Sequence, residues 1–447
     1  MSGMKKSRQI LFYLAGILLL LVVDFQALNC GFIYDDYVIL IYNQSLHQSV
    51  WDAIAFNPFR GAVYFTYWLQ WKVSSSAFSF RSFNLIVHWL CGLVLILLFN
   101  RLFPERKRFS YLCALFFWLN PIFMEAVNFI SGRFDLLCAL FYLLAVFFWL
   151  EGEKRGVYQA IWLLFFALAL FCKEPAVSLP VLIFVLSRFK RRRFFSWWMG
   201  VAIIFVLAYI FLRLHWTIIL SKPTQRVWSP SEYFLNQNWI VWFGFFKVIF
   251  PFHLNFDYQL SSLVMLGAFA LVINLLLFSL IVYFGKIRRW LWLVLGYPLI
   301  YSPLAFVPLA DAFREARIYL AGAWLVILIS GCFSWLLESK PRAKPIISLV
   351  LIMLFLMSLN RAGAWRSDVS LWRDAVKKSP TKFRAVYNYA SALRRGFQLR
   401  RAERVYRWAE KLNPESIKVK TYLELLKKLR EHPELKDQMW DKLKEMR

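Results

Sequence analysis

Cys30-Gly31-Phe32-Ile33-Tyr34-Asp35-Asp36 stands just beyond the first strongly apolar run of the chain, residues 10–23. The apolar character continues past Asp24 towards Leu28 with no small-residue cleavage site after it, so the run reads as a membrane span rather than a cleaved signal peptide. Asp35 and Asp36 therefore fall where a first span leaves the bilayer. Adjacent carboxylates oppose each other's ionisation. An isolated pair is most simply the solvated start of a loop. The rest of the chain changes that balance, because further acids and arginines recur at the same side of the membrane.

Of the 447 residues, 60% are hydrophobic and 19% aromatic. A soluble globular chain is typically about 45–50% apolar. A span needs about 20 largely apolar residues. The candidates are 10–28, 83–103, 109–124, 136–150, 158–171, 176–187, 195–214, 263–284, 290–309, 318–337 and 346–359. The net charge of +28 could signal nucleic-acid binding, but the placement of the charges points elsewhere. Short basic clusters separate the apolar runs: Lys5/Lys6/Arg8, Arg101/Arg106/Lys107/Arg108, Lys154/Arg155, 188–193, Lys286/Arg288/Arg289 and Lys340/Arg342/Lys344. The positive-inside rule produces this pattern. All the clusters lie inside if 236–250 does not cross the membrane, or crosses only as half of a re-entrant hairpin. The expected fold is an all-α polytopic membrane protein with about eleven spans, the N-terminus inside and the C-terminus outside. The six cysteines show no C-x-x-C spacing and read as small buried hydrophobes.

This topology gathers polar segments on the outer side. A first outer loop, 29–82, carries Asp35 and Asp36, with aromatic pieces at 51–56 and 63–73 that suit interfacial helices. Later loops carry Glu125, Arg133 and Asp135, then Lys173 and Glu174; a fourth runs from His215 to Asn238, and the fifth carries Asp311, Arg314, Glu315 and Arg317. Ionisable residues at membrane depth default to functional hypotheses. Any one pair, such as Lys173 with Glu174, is as well explained by mutual neutralisation. Five loops converging on one face favour a site.

After Leu359 the composition turns charged and helix-forming. Trp372, Ala375 and Pro380 recur as Tyr406, Ala409 and Pro414, an offset of 34 residues, which is the tetratricopeptide period. Tyr389, Ala390 and Leu393 fit the first helix of such a repeat, and Ala402 fits the second. Further helices are expected at 415–429 and 434–445. Residues 361–447 hold 23 Lys+Arg against 11 Asp+Glu. This domain reads as a packing lid, a surface for protein capture, or a contact for anionic lipid heads.

The motifs of the whole chain resemble those of the transmembrane, tetratricopeptide-repeat O-mannosyltransferases, which are membrane glycosyltransferases of the GT-C type. Tyr34-Asp35-Asp36 with Ile39 and Asn43 is similar to the family's first-loop motif, and Asn84-Leu85-Ile86-Val87-His88 to its second-span signature. The most specific block is Asn120-Pro121-Ile122-Phe123-Met124-Glu125-Ala126-Val127 with Gly132-Arg133-Phe134-Asp135-Leu136-Leu137. Lys173-Glu174, the segment 250–258 and Glu315-Ala316-Arg317-Ile318-Tyr319-Leu320 also fit. Asn120 stands where the family usually has His, Arg60-Gly61-Ala62 replaces an Arg-Pro-Leu-like step, and the repeat array is short. These departures suit a bacterial relative.

The resemblance implies a GT-C domain over 1–360 and a tetratricopeptide-like domain over 361–447 on the outer face of a bacterial cytoplasmic membrane. It implies an inverting enzyme that moves mannose or a similar sugar from a polyprenyl-phosphate carrier to a hydroxyl of an exported protein. The attacking hydroxyl needs a base, and the departing phosphate needs fixed cations. By match to the family, Asp35 is the base, with Asp36 as second acid. Glu125 and Asp135 bind sugar hydroxyls or position Arg133. Arg317, with Arg314 and Lys173, meets the phosphate. Glu174, Glu315 and Tyr319 complete the substrate-binding set. No cofactor or metal is expected. His88, on an apolar helix face, reads as a satisfied buried histidine. Two other readings compete: a glycosyltransferase acting on lipid or cell-wall glycan, and a non-catalytic scaffold or transporter with a protein-binding repeat domain. The absence of two related halves weighs against a transporter.

Overall fold

The computed structural model describes residues 2–152, 156–191, 193, 196–220 and 228–431. The chain divides into two compact units. One comprises Met1–Leu254 with Leu260–Gly363, and the other Asn255–Gln259 with Ala364–Arg447.

The first unit is a helical bundle with no strand among its described residues. Among the described residues seven helices are long and apolar enough to cross a membrane: Ser7–Leu28, Ala77–Leu102, Ile130–Glu151, Trp197–His215, Val264–Gly285, Glu315–Ser339 and Pro341–Ala364. The pair Pro104–Trp118 and Pro121–Asn128, bent by 52°, adds an eighth if it is a single span. The bend follows from local chemistry. Asn120 caps the second piece, its Oδ1 accepting from the Ile122 N–H, and Pro121 cannot continue a helix begun earlier. The remaining expected spans are helical but short. Gly156–Leu170 and Leu291–Phe306 fall below the usual span length. Leu179–Lys190 has 12 residues, with Pro180 in its first turn and Pro175 in the short turn that precedes it. Pro230–Ile249 is a helix of 20 residues carrying Glu232, Asn236, Gln237 and Asn238. It is outside the set of helices apolar enough to cross a membrane. The aromatic pieces of the first outer loop are the helices Val50–Phe56 and Gly61–Val73, with Trp51 and Val73 strongly exposed.

Burial ranks the long helices. Ala77–Leu102, Ile130–Glu151 and Glu315–Ser339 are 61–67% buried in their apolar windows, against 17% for Trp197–His215 and 11% for Val264–Gly285. The first three form the core. The last two turn nearly all their side chains outwards, the sign of a lipid-facing helix. Of the six free cysteines five are buried, but Cys332 is exposed on the outward side of its helix.

The second unit stacks four described helices: Asp368–Lys378, Phe383–Arg395, Leu399–Leu412 and Ile417–Glu431. Of the residues that carry the 34-residue period, Trp372, Ala375, Tyr406 and Ala409 are buried and Pro380 and Pro414 are exposed. Each helix keeps one apolar face, and the core joins Val386, Leu393, Tyr406 and Tyr422. Asn255–Gln259 is part of this core although it lies more than 100 residues earlier in sequence. Phe256 packs edge-on against Trp365 and Trp372, with ring centroids 5.3 and 5.2 Å away. Asp257 accepts from Lys382 Nζ at 2.5 Å and from Arg384 Nε at 3.0 Å. The helix expected at 434–445 lies outside the described residues. Removing one partner of a buried pair strands the other, at a cost of about 3 kcal/mol or more. Asp257→Ala should therefore destabilise this unit by about 3 kcal/mol. The effect should appear as faster amide exchange throughout helices Phe383–Arg395 and Leu399–Leu412, with the first unit unchanged.

Candidate active site

The site is assembled around the backbone of residues 127–133. Asn84, on the core helix Ala77–Leu102, donates through Nδ2 to the carbonyls of Val127, Phe129 and Ile130, and Tyr67 donates to the Ile130 carbonyl at 2.9 Å. Arg81 donates to the carbonyls of Asn128, Cys30 and Gly31. It thereby pins the end of the first helix to the same block. Arg133 points back into this cage. Its guanidinium donates to Asn84, Gln70 and the Phe80 carbonyl, and lies over the rings of Tyr67, Phe80 and Phe83. Gly132 is required by contact: a Cβ there would sit 2.2 Å from the Ala126 carbonyl oxygen.

Asp36 is fully buried and joins the first loop to this block. It accepts from Ile33 N–H at 3.2 Å, from Ser131 N–H at 3.0 Å and from Ser131 Oγ at 2.8 Å. Burial pushes its carboxyl up to about 6, against the opposing pull of Arg81 and of the Ser131 and Ile33 donors. Tyr34 takes a left-handed backbone conformation, φ 46°. The two acids that follow take different environments: Asp36 is buried in the joint, while Asp35 lines a cavity.

The cavity has a volume of about 280 Å³, near the lower end of small-molecule sites. Its charged lining comprises Asp35, Asp135, Glu174, Arg60, Lys173, Arg213, Arg314 and Arg317. Six of these were selected from sequence. Lys173 reaches both oxygens of Asp135 at 2.5 Å. Burial lowers the Lys173 pKa, and Asp135 counters the shift. Arg314 pairs with Glu125 at 2.7 Å. Burial alone would weaken its charge, but Glu125, Asp311 and Asp35 together raise it above the ordinary arginine value. Arg317 donates to the Asp311 carbonyl.

The other five selected residues stand outside the lining. Asp36 is in the joint just described. Glu125 is wholly buried beneath Arg314. Arg133 lies within the cage. Glu315 is buried and accepts from Arg361 at 3.1 Å. This contact ties the start of one core helix to the end of the helix Pro341–Ala364. Tyr319 is fully buried, its hydroxyl 2.7 Å from His88 Nδ1, among the rings of Phe117 and Phe123. His88 is thus a partnered core histidine.

Two cavity cations were absent from the set chosen from sequence. Arg60 donates to both Glu174 oxygens, at 2.8 and 2.9 Å, and Arg213 donates to the same carboxylate at 3.0 Å. Arg213 carried a usable signal: it is a lone charge near the end of the apolar run 195–214, and a charge inside a span marks function by default. Arg60 was visible only as a departure from a family step.

No family model matches the chain. Among curated proteins, it is 23% identical over 395 residues to the protein O-mannosyl-transferase F38B6.6 of Caenorhabditis elegans, covering 82% of this chain and 55% of that protein. It is 23% identical over 473 residues to the mouse protein O-mannosyl-transferase TMTC4, covering 83% and 63% respectively. For the mouse protein O-mannosyl-transferase TMTC3 the identity is 22% over 465 residues, covering 88% and 50%. The resemblance read from the motifs is borne out. The chain spans between half and just under two thirds of the length of these relatives.

Glu174 sets a pH dependence. Its burial would raise the carboxyl pKa, but Arg60 and then Arg213 outweigh it and hold the group at about 2, against an ordinary 4.5. A carboxyl depressed in the folded state stabilises fully above its unfolded pKa, and this is lost as pH falls towards the folded one. Relative to Glu174→Gln, the wild-type chain should lose stability on the order of 3 kcal/mol between pH 5 and 2. Chemical denaturation of both proteins across that range checks it.

Proposed function

We propose that the chain is an inverting glycosyltransferase that moves a sugar, mannose or a similar hexose, from a polyprenyl-phosphate carrier to a hydroxyl of a protein. The observation that carries the reading is a cavity in which an acid of the first loop, Asp35, shares the lining with cations from three other segments. The printed activity of the relatives, protein O-mannosyl transfer, supports the same chemistry. The 34-residue period in the C-terminal unit supports a protein acceptor.

In this reaction the acceptor hydroxyl gives its proton to Asp35 as its oxygen attacks the anomeric carbon. The bond from that carbon to the phosphate oxygen breaks on the opposite face, and the lipid phosphate leaves with the electron pair. The anomeric configuration inverts. The cavity cations meet the charge that grows on the phosphate. Asp36 acts through the backbone: by holding Ser131 and Ile33 it fixes the turn that presents Asp35. Asp135, oriented by Lys173, is available to sugar hydroxyls. The leaving group is a single phosphate, so fixed cations suffice for its charge and the reading calls for no metal. In the cell, the reading puts the chain in a bacterial cytoplasmic membrane, with the N-terminus cytoplasmic and the cavity opening on the outer side.

The test is purified protein in lipid nanodiscs incubated with a panel of polyprenyl-phosphate sugars, scored for sugar release and for transfer to Ser/Thr peptides. At least one donor should be turned over, and Asp35→Asn should reduce that turnover by at least about a hundredfold with the unfolding midpoint retained. Near-normal turnover in Asp35→Asn removes Asp35 as the base. Failure of every donor overturns the reading.

A further inference from the structure

The charges in the cavity are not evenly distributed. On one side, Arg314 and Arg317 lie in the lining with Asp35, and Glu125 and Asp311 stand behind it: Arg314 feels all three acids, and Arg317 donates to the Asp311 main-chain carbonyl. Two cations there meet three carboxylates. Lys173 and Asp135 neutralise each other one for one. On the other side, Arg60 and Arg213 share one carboxylate, Glu174. The surplus positive charge of the cavity therefore sits at Arg60 and Arg213, away from the arginines that sequence reasoning assigned to phosphate.

Arg213 also occupies a distinctive place. Its helix, Trp197–His215, touches the protein along a single seam. Met199, Ala202 and Tyr209 are buried at 1%, 0% and 7% exposure, and Arg213 continues that stripe. Between them Ile204, Leu207, Phe211, Leu212 and Leu214 are exposed. A helix so exposed and so apolar faces lipid. The guanidinium is thus the polar end of the wall between the cavity and the hydrocarbon. It lies over the Phe59 ring, 5.2 Å from its centroid, and Phe59 packs on Tyr209 in turn. A lipid-linked phosphate has the matching shape: its chain must stay in the bilayer while its anionic head turns inward.

We propose that Arg213 and Arg60 form the phosphate seat of the lipid-linked donor, at the lipid-facing edge of the cavity, with Glu174 holding the two guanidiniums in register. This rests on the donor class proposed above. A planar guanidinium presents paired donors that suit phosphate oxygens. The seat also separates the two ends of the reaction, with the leaving group at the Arg60–Arg213 end and the base at the Asp35 end.

The experiment measures binding apart from turnover. Undecaprenyl phosphate is titrated into wild-type, Arg213→Gln, Arg213→Lys and Arg317→Gln proteins in nanodiscs, and Kd is read from intrinsic tryptophan fluorescence. Where the panel above yields a donor, its KM is measured in parallel. Arg213→Gln should raise Kd and KM at least tenfold, Arg213→Lys should recover most of the loss, and Arg317→Gln should change Kd less than threefold. Kd within twofold of wild type in Arg213→Gln, or a larger effect from Arg317→Gln, overturns the seat. If the wild-type chain binds undecaprenyl phosphate through Arg213 yet turns over no donor, the seat stands and the transferase reading falls. If the wild-type chain does not bind it, both fall.

Discussion

The carboxylate of Asp36, accepting from Ser131 and from Ile33, is the joint on which the site depends. It lies in a bundle of apolar helices where an unsatisfied polar group costs several kcal/mol. Each neighbour is accordingly satisfied in turn. Arg81 takes the carbonyls at the end of the first helix, Asn84 takes those of 127–130, and Arg133 closes the cage from behind. A buried network of this kind admits few alternative arrangements, because any shift strands a donor or acceptor. The loop bearing Asp35 is therefore fixed by protein rather than left to solvent.

That joint explains the unlike fates of two neighbouring acids. Like charges side by side oppose each other's ionisation, and the structure separates them by burying one. Asp36, with burial raising its pKa to about 6, is a structural acceptor. Asp35 faces the cavity. The same logic runs through the other charged residues. Glu125 beneath Arg314 and Glu315 beneath Arg361 are wholly buried partners that hold cations in place. Of these two cations Arg314 lines the cavity, while Arg361 is itself buried.

Much of this was legible in the sequence, for identifiable reasons. Apolar runs of span length have no stable state in lipid other than the helix, so the all-helical bundle followed from composition. The count did not follow. The runs expected at 158–171, 176–187 and 290–309 form helices shorter than a span, so among the described residues seven or eight helices, not eleven, reach that length. The buried positions of the 34-residue period were visible because a repeat must bury the same face each time. That Asn255–Gln259 would join the core of the second unit was not visible. Nothing local in Asn255, Phe256 or Asp257 announces partners at Ser379, Trp372 and Lys382, more than 100 residues away.

The sequence by itself picked out a set of acids and cations that are costly in an apolar chain, and six of them line one cavity. It could not sort them by role. Whether a carboxylate lines a cavity or anchors a cation beneath it depends on a few ångströms of helix rotation and on partners remote in the chain. Tyr319 went to His88, Glu125 to Arg314, and Arg213 emerged at the edge of the cavity from a helix otherwise given over to lipid. Those assignments belong to the tertiary structure, because only packing decides which polar atoms find each other once water is gone.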